Sequence, residues 1–202
     1  MFGPKALWNI ITFRSRSTDH LAGRCYYLRV SMAAYKPKFL ERGKRHLKIR
    51  SVGEVFVMNL RTVGYMYGRV IRNDCPWKAA SSPRPWKRVP GYYVVYIFSQ
   101  VTQEISKDID LGVKNLLLAP HIVGDGGWKL GYFQPLFTKT IATGELLKTH
   151  CFNAELLSGP VYITEYGDIL EHQTEPNTDF GYGEYGFIER CCCEALGVPY
   201  PD

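Results

Sequence analysis

Apolar residues alternate from residue 52 onward, with Val55 and Val57 on one face of a strand and Phe56 and Met58 on the other. The alternation breaks across residues 61–64, which include Gly64, and resumes from Tyr65 to Ile71. Period-two spacing on both sides of a glycine-containing break predicts a β-hairpin. Gly68 interrupts the second strand, which predicts a bulge or a close approach of another group to the backbone.

Downstream, residues 92–100 (Y-Y-V-V-Y-I-F-S-Q) are apolar on both faces and predict a central strand. Further strands are expected at 113–118, closed by Pro120 and a glycine turn at 124–127, then at 128–137 and at 161–166. Residues 73–90 hold Pro76, Pro83, Pro85 and Pro90, a density that forbids helix or central strand and predicts a long loop carrying Trp77 and Trp86. The period changes near the end. Ile188, Cys191, Cys192, Ala195 and Leu196 fall on one helical face, and Gly197 and Pro199 end the helix. On that spacing Cys191 and Cys192 face the core as small hydrophobes and Cys193 faces solvent. The sum is an α+β fold: a strongly bent, mainly antiparallel sheet, an SH3-like half-open barrel, with the C-terminal helix packed on it.

Charge divides the chain. Residues 1–50 hold twelve Lys/Arg against two acids, and residues 151–202 hold one against ten. The basic front of the chain invites a nucleic-acid reading, but the basic segment 36–50 offers only Phe39 for base stacking. Residues 1–31 show no sustained period and read either as a disordered arm or as an extension upstream of the true start, with Met32 opening a single β-rich domain over 32–202. Six cysteines, three of them consecutive and none in a C-x-x-C pair, predict reduced thiols in a cytoplasmic protein; a monomer is expected. No apolar run is long enough to span a membrane.

Gly53, Glu54, Phe56, Leu60, Tyr65, Tyr67, Gly68, Arg69 and Val70 form a G-E-x-F-x-x-x-L … Y-x-Y-G-R-V pattern. It is followed by Leu116, Leu117, Leu118, Pro120 and by G-W-x-x-G-Y-F at residues 127–133. This set resembles the immunity protein 26 family, grouped with the HocA-type phosphotriesterase, over residues 48 to 140. The resemblance implies two functions. One is hydrolysis of neutral organophosphate triesters; the other is non-catalytic binding and neutralisation of a bacterial toxin protein.

Triester hydrolysis needs an activated water, made by a general base or by a divalent metal that lowers the water's pKa to about 7. The sequence holds no H-x-H or H-E-x-x-H pair. For the enzyme reading the candidates are His121 and Asp125 at the glycine turn, as catalytic groups and metal ligands. His172, among Asp168, Glu171 and Glu175, is a further metal ligand. His150 beside Cys151 is a base and nucleophile pair, and Trp77, Trp86 and Trp128 are an aromatic wall for substrate. For the immunity reading, the acidic C-terminal third carries Tyr162, Tyr166, Tyr182 and Tyr185 and complements a basic toxin cleft, with F-G-Y-G-E-Y-G at 180–186 as an adaptable loop.

Overall fold

The computed structural model of the protein describes residues 37–73, 91–156, 159–179 and 182–201. The predicted hairpin is present as β1 (Glu54–Leu60) and β2 (Gly64–Arg72), paired antiparallel. β3 (Tyr92–Thr102) lies beside β2, and β4 (Leu116–Gly124) beside β3. β5 (Gln134–Thr138) borders β1, and the two-residue β10 (Tyr182–Gly183) runs parallel to β4 at the other edge. The six strands are ordered β10-β4-β3-β2-β1-β5, and the outer two do not pair, so the described strands form no closed barrel. A second sheet is ordered β8-β7-β6-β9, from β6 (Cys151–Leu156), β7 (Gly159–Ile163), β8 (Ile169–Leu170) and β9 (Asn177–Asp179).

Both faces of the large sheet are buried, as the double-sided apolar pattern requires. Phe56, Met58, Tyr93, Val95 and Ile97 point into one core with Trp128, Phe133 and the C-terminal helix. Their neighbours Val55, Val57, Val94, Tyr96 and Phe98 point into a second core with Phe152, Ala154 and Ile163 of the small sheet. The layers are therefore helix, large sheet, small sheet.

Gly68 lies opposite Phe56, and a Cβ at Gly68 would come within 2.3 Å of the Phe56 ring. The ring thus occupies the slot left by the missing side chain, stacked on Phe133 at 4.9 Å and edge-on to Trp128 at 5.0 Å. The ladder to β3 also slips between Met66 and Gly68, so the glycine serves as both bulge and close approach.

Other expected elements are displaced. Residues 113–115 form a 3-10 turn, and β4 begins at Leu116 and continues through Pro120. The ladder to β3 skips between Leu118 and His121, so Pro120 sits at a bulge where no ladder donor is required. Trp128 is not in a strand. It lies in a short helix, α1 (Gly126–Leu130), stopped by Gly131 at φ 87°, and β5 starts only at Gln134.

Helix α2 (Tyr185–Ala195) is where the cysteine period places it, but all three thiols are buried and Ala195 is exposed. Cys193 is covered because the tail folds back: Val198 N–H donates to the Cys193 carbonyl at 2.8 Å, and Leu196, Val198 and Tyr200 pack on the same core. The buried Glu189 carboxylate ties the entry segment to this helix, accepting the backbone N–H groups of Lys38, Phe39 and Leu40 and the Tyr200 hydroxyl. The expected adaptable loop at 180–186 is instead, where described, β10 and the start of α2.

Gly68→Ala is expected to destabilise the fold by about 1–3 kcal/mol, the usual cost of overpacking, in urea unfolding. Phe56→Leu in the same chain should restore part of that loss by vacating the slot. Strictly additive losses would mean that the Phe56–Gly68 fit is not what holds these strands together.

Candidate functional site

The histidines expected to carry chemistry are held in structural contacts. The register slip in β4 turns His121 to the same face as Val123, under α2, with its ring 5.8 Å from that of Phe187. Its Nδ1 lies 2.6 Å from the Ala119 carbonyl; a carbonyl only accepts, so Nδ1 carries the proton. Nε2 is buried without a partner, and burial pushes the imidazole pKa down despite the Ala119 bond. Asp125 precedes α1 and pairs with Lys129 at 2.6 Å. It shares no ion pair or hydrogen bond with His121 among the described residues. His172 is exposed beyond β8, and the described residues bring no three of His, Cys, Asp and Glu into a metal-binding group.

His150 does not serve Cys151. Its Nε2 is 2.7 Å from the Tyr96 hydroxyl, and its Nδ1 is 3.1 Å from Glu165 Oε1. The Tyr96 oxygen also accepts the Leu147 N–H at 3.0 Å, so it ties the segment before β6 to β3 at two points. Cys151 is buried in β6. Trp128 is buried among Phe56, Tyr93 and Phe133, so it is core and no wall for a substrate. Trp77 and Trp86 lie outside the described residues, as does the extension at 1–31.

What the sequence did not reveal is a set of polar links between layers. Arg69, fully buried in β2, donates to Glu145 Oε2 at 2.8 Å and to the Lys139 carbonyl at 2.7 Å. An arginine inside Y-M-Y-G-R-V-I was the available signal, since a cation in an apolar strand needs a buried acid. A second link begins at Tyr96 and His150 and reaches Glu165, which accepts from Arg72 Nε at 2.7 Å. Burial alone would raise the Glu165 carboxyl; His150 and Arg72 outweigh it and hold it below the ordinary carboxylate range. Burial pushes the Tyr96 hydroxyl up to about 12.

This second link ends at the surface. The Arg72 guanidinium lies 4.3 Å from the centre of the exposed Tyr166 ring. Tyr166 tops the turn between β7 and β8, which Thr164 closes: its hydroxyl accepts the N–H groups of Tyr166 and Asp168, and its own N–H donates to the Asp168 carbonyl. Ile169, 67% exposed, and the exposed acids Asp168, Glu171 and Glu175 flank the turn. Of the other tyrosines expected at an interface, Tyr162 is half-buried, Tyr182 lies in β10, and Tyr185 stacks on Tyr132 at 4.6 Å inside the protein. The arrangement offers a fixed aromatic and aliphatic pair in an acidic setting, which suits binding better than bond cleavage.

Comparison with known proteins agrees with half of the resemblance. The model of a family described as immunity protein 26 matches residues 51–159, over half of the 202-residue chain, and the chain belongs to that family. Neither the curated proteins nor the solved structures give a match. The match corrects the enzyme reading: it is to an immunity protein, nothing supports the HocA-type phosphotriesterase part, and the expectation of an organophosphate hydrolase is withdrawn. No helix among the described residues is long and apolar enough to cross a membrane.

Arg69 and Glu145 give a test of the scaffold. The Arg69 hydrogen bond, first among several, holds the Glu145 carboxyl down at about 2, against 4.5 for a free glutamate. A depressed folded-state pKa contributes stability above pH 4.5 that is lost as pH falls from there toward 2. Glu145→Ala, which strands the buried Arg69 charge, should cost about 3–5 kcal/mol at neutral pH and flatten that acid limb in pH-dependent urea unfolding. An unchanged limb would remove the pair from the stability account.

Proposed function

From membership of the immunity protein 26 family, we propose that this protein is non-catalytic and neutralises a bacterial toxin protein by binding and covering it. The observation that carries this reading is the family match over residues 51–159. It is supported by where the family-like residues lie: Phe56, Gly68 and Trp128 shape one core, and Arg69 is buried against Glu145. A scaffold whose signature residues are interior leaves recognition to surfaces built on it.

The β7–β8 turn is the surface we assign to the toxin. Tyr166 is an anchor whose position is set before binding, which lowers the entropy cost of association. Ile169 adds apolar area, and the acids around it complement a basic cleft such as a nuclease toxin presents, accelerating encounter. In the same reading residues 32–202 are one β-rich domain. The large sheet is a strongly bent SH3-like half-open form, a shape supported by its register slips at Val55/Phe56, Met66/Gly68 and Val95/Ile97.

The test is growth rescue. Expressing the protein with toxins encoded beside its gene should restore growth against one of them and give tight, salt-sensitive binding in purified form. Tyr166→Ala should weaken that binding by about tenfold or more, the loss of one anchor. Asp168→Lys with Glu171→Lys should act mainly by slowing association. A gene neighbourhood with no toxin that the protein neutralises would sink the assignment.

A further inference from the structure

A second surface lies in the entry segment and goes beyond the toxin reading. Leu47, Ile49 and Val52 are 75%, 68% and 46% exposed, three of the seven large hydrophobic residues exposed among those described, and they fall within six positions. Contiguous apolar exposure of this kind marks interaction sites more often than scattered single residues do.

The segment is held in place. Gly43 N–H donates to the Gly131 carbonyl, Lys44 N–H to Gln134, His46 N–H to the Trp128 carbonyl and Arg50 N–H to the Tyr93 hydroxyl. Arg50 is itself buried against Glu54 at 3.4 Å. Residues 44, 46 and 50 thus turn their donors inward, leaving Leu47 and Ile49 presented outward on a fixed backbone. Lys44, Arg45 and Lys48 stand exposed around them, none paired with a carboxylate among the described residues.

Three occupants are disfavoured. The two longest segments outside the described residues are themselves basic: 1–36 holds six Lys/Arg against one acid, and 74–90 holds four against one, so either would be repelled. Single-stranded nucleic acid needs an aromatic platform, and Phe39, the aromatic of this region, is half-buried, edge-on to Tyr200 at 5.7 Å.

We propose that residues 44–52 form a docking strip for a protein segment bearing carboxylates around an aliphatic side chain. Leu47 and Ile49 supply the apolar contact, and Lys44, Arg45 and Lys48 supply charge complementarity. The strip belongs to a different chain segment from the β7–β8 turn assigned to the toxin and is of opposite charge, so the two surfaces select different partners.

Panning a random-peptide display library on the intact protein tests this. Enrichment of sequences with Asp or Glu around Leu, Ile or Val is expected. Binding of the selected peptides should fall by about tenfold or more in Leu47→Asp/Ile49→Asp, with circular dichroism showing a native fold. Lys44→Glu/Lys48→Glu should invert the selection toward Lys and Arg, and Tyr166→Ala should leave it unchanged while weakening toxin binding. Selection without acids, or peptides that bind both double variants as tightly as wild type, overturns the proposal. So does sedimentation with phosphatidylglycerol vesicles that these variants abolish, which would assign the strip to a membrane. Self-association abolished by the same variants would assign it to a second copy and overturn the proposal likewise.

Discussion

The Phe56 ring fills the space where a side chain at position 68 would be, and the rest of the first core is arranged around that fit. Because Gly68 admits the ring between strands, Phe56 can stack on Phe133 and meet Trp128 edge-on. Trp128 in turn meets Tyr93, so the hairpin, the central strand and the short helix α1 are fastened through one aromatic cluster. Close packing makes the arrangement intolerant of an added methyl group, since interiors have few voids to absorb it.

Polar links fasten the other layer. The large and small sheets share an apolar core, but Arg69–Glu145 and the chain from Tyr96 through His150 and Glu165 to Arg72 fix how the connecting segments lie against it. Buried charges of this sort are costly unless paired, so each partner restricts where the other can go. The second chain carries that restriction outward to Tyr166, whose ring rests on Arg72. A surface residue is thereby positioned by groups in the interior, which links core packing to the face proposed to meet the toxin.

Two faces of opposite charge result. The acidic one is carried by the turn before β8, and the basic one by the segment that enters β1. Both display aliphatic side chains on backbone held by hydrogen bonds, and neither lies in the family's interior signature. The signature residues lie inside and the two charged faces outside, and the family match is to an immunity protein, not to a hydrolase.

The hairpin, the special place of Gly68, the central double-sided strand and the C-terminal helix are legible in residue order, because period and glycine placement are local properties. Residue order also carries the family likeness, since those residues set the core. The facing of β4 emerges only in the folded chain, because a bulge at Pro120 changes its parity and sends His121 under α2. Folding likewise buries Cys193 beneath a returning tail, puts Trp128 on a helix inside the core, and joins His150 to Tyr96 and Glu165 where adjacency had suggested Cys151. Those outcomes depend on partners tens of residues away, and no short-range pattern encodes a contact whose other half lies in a different layer.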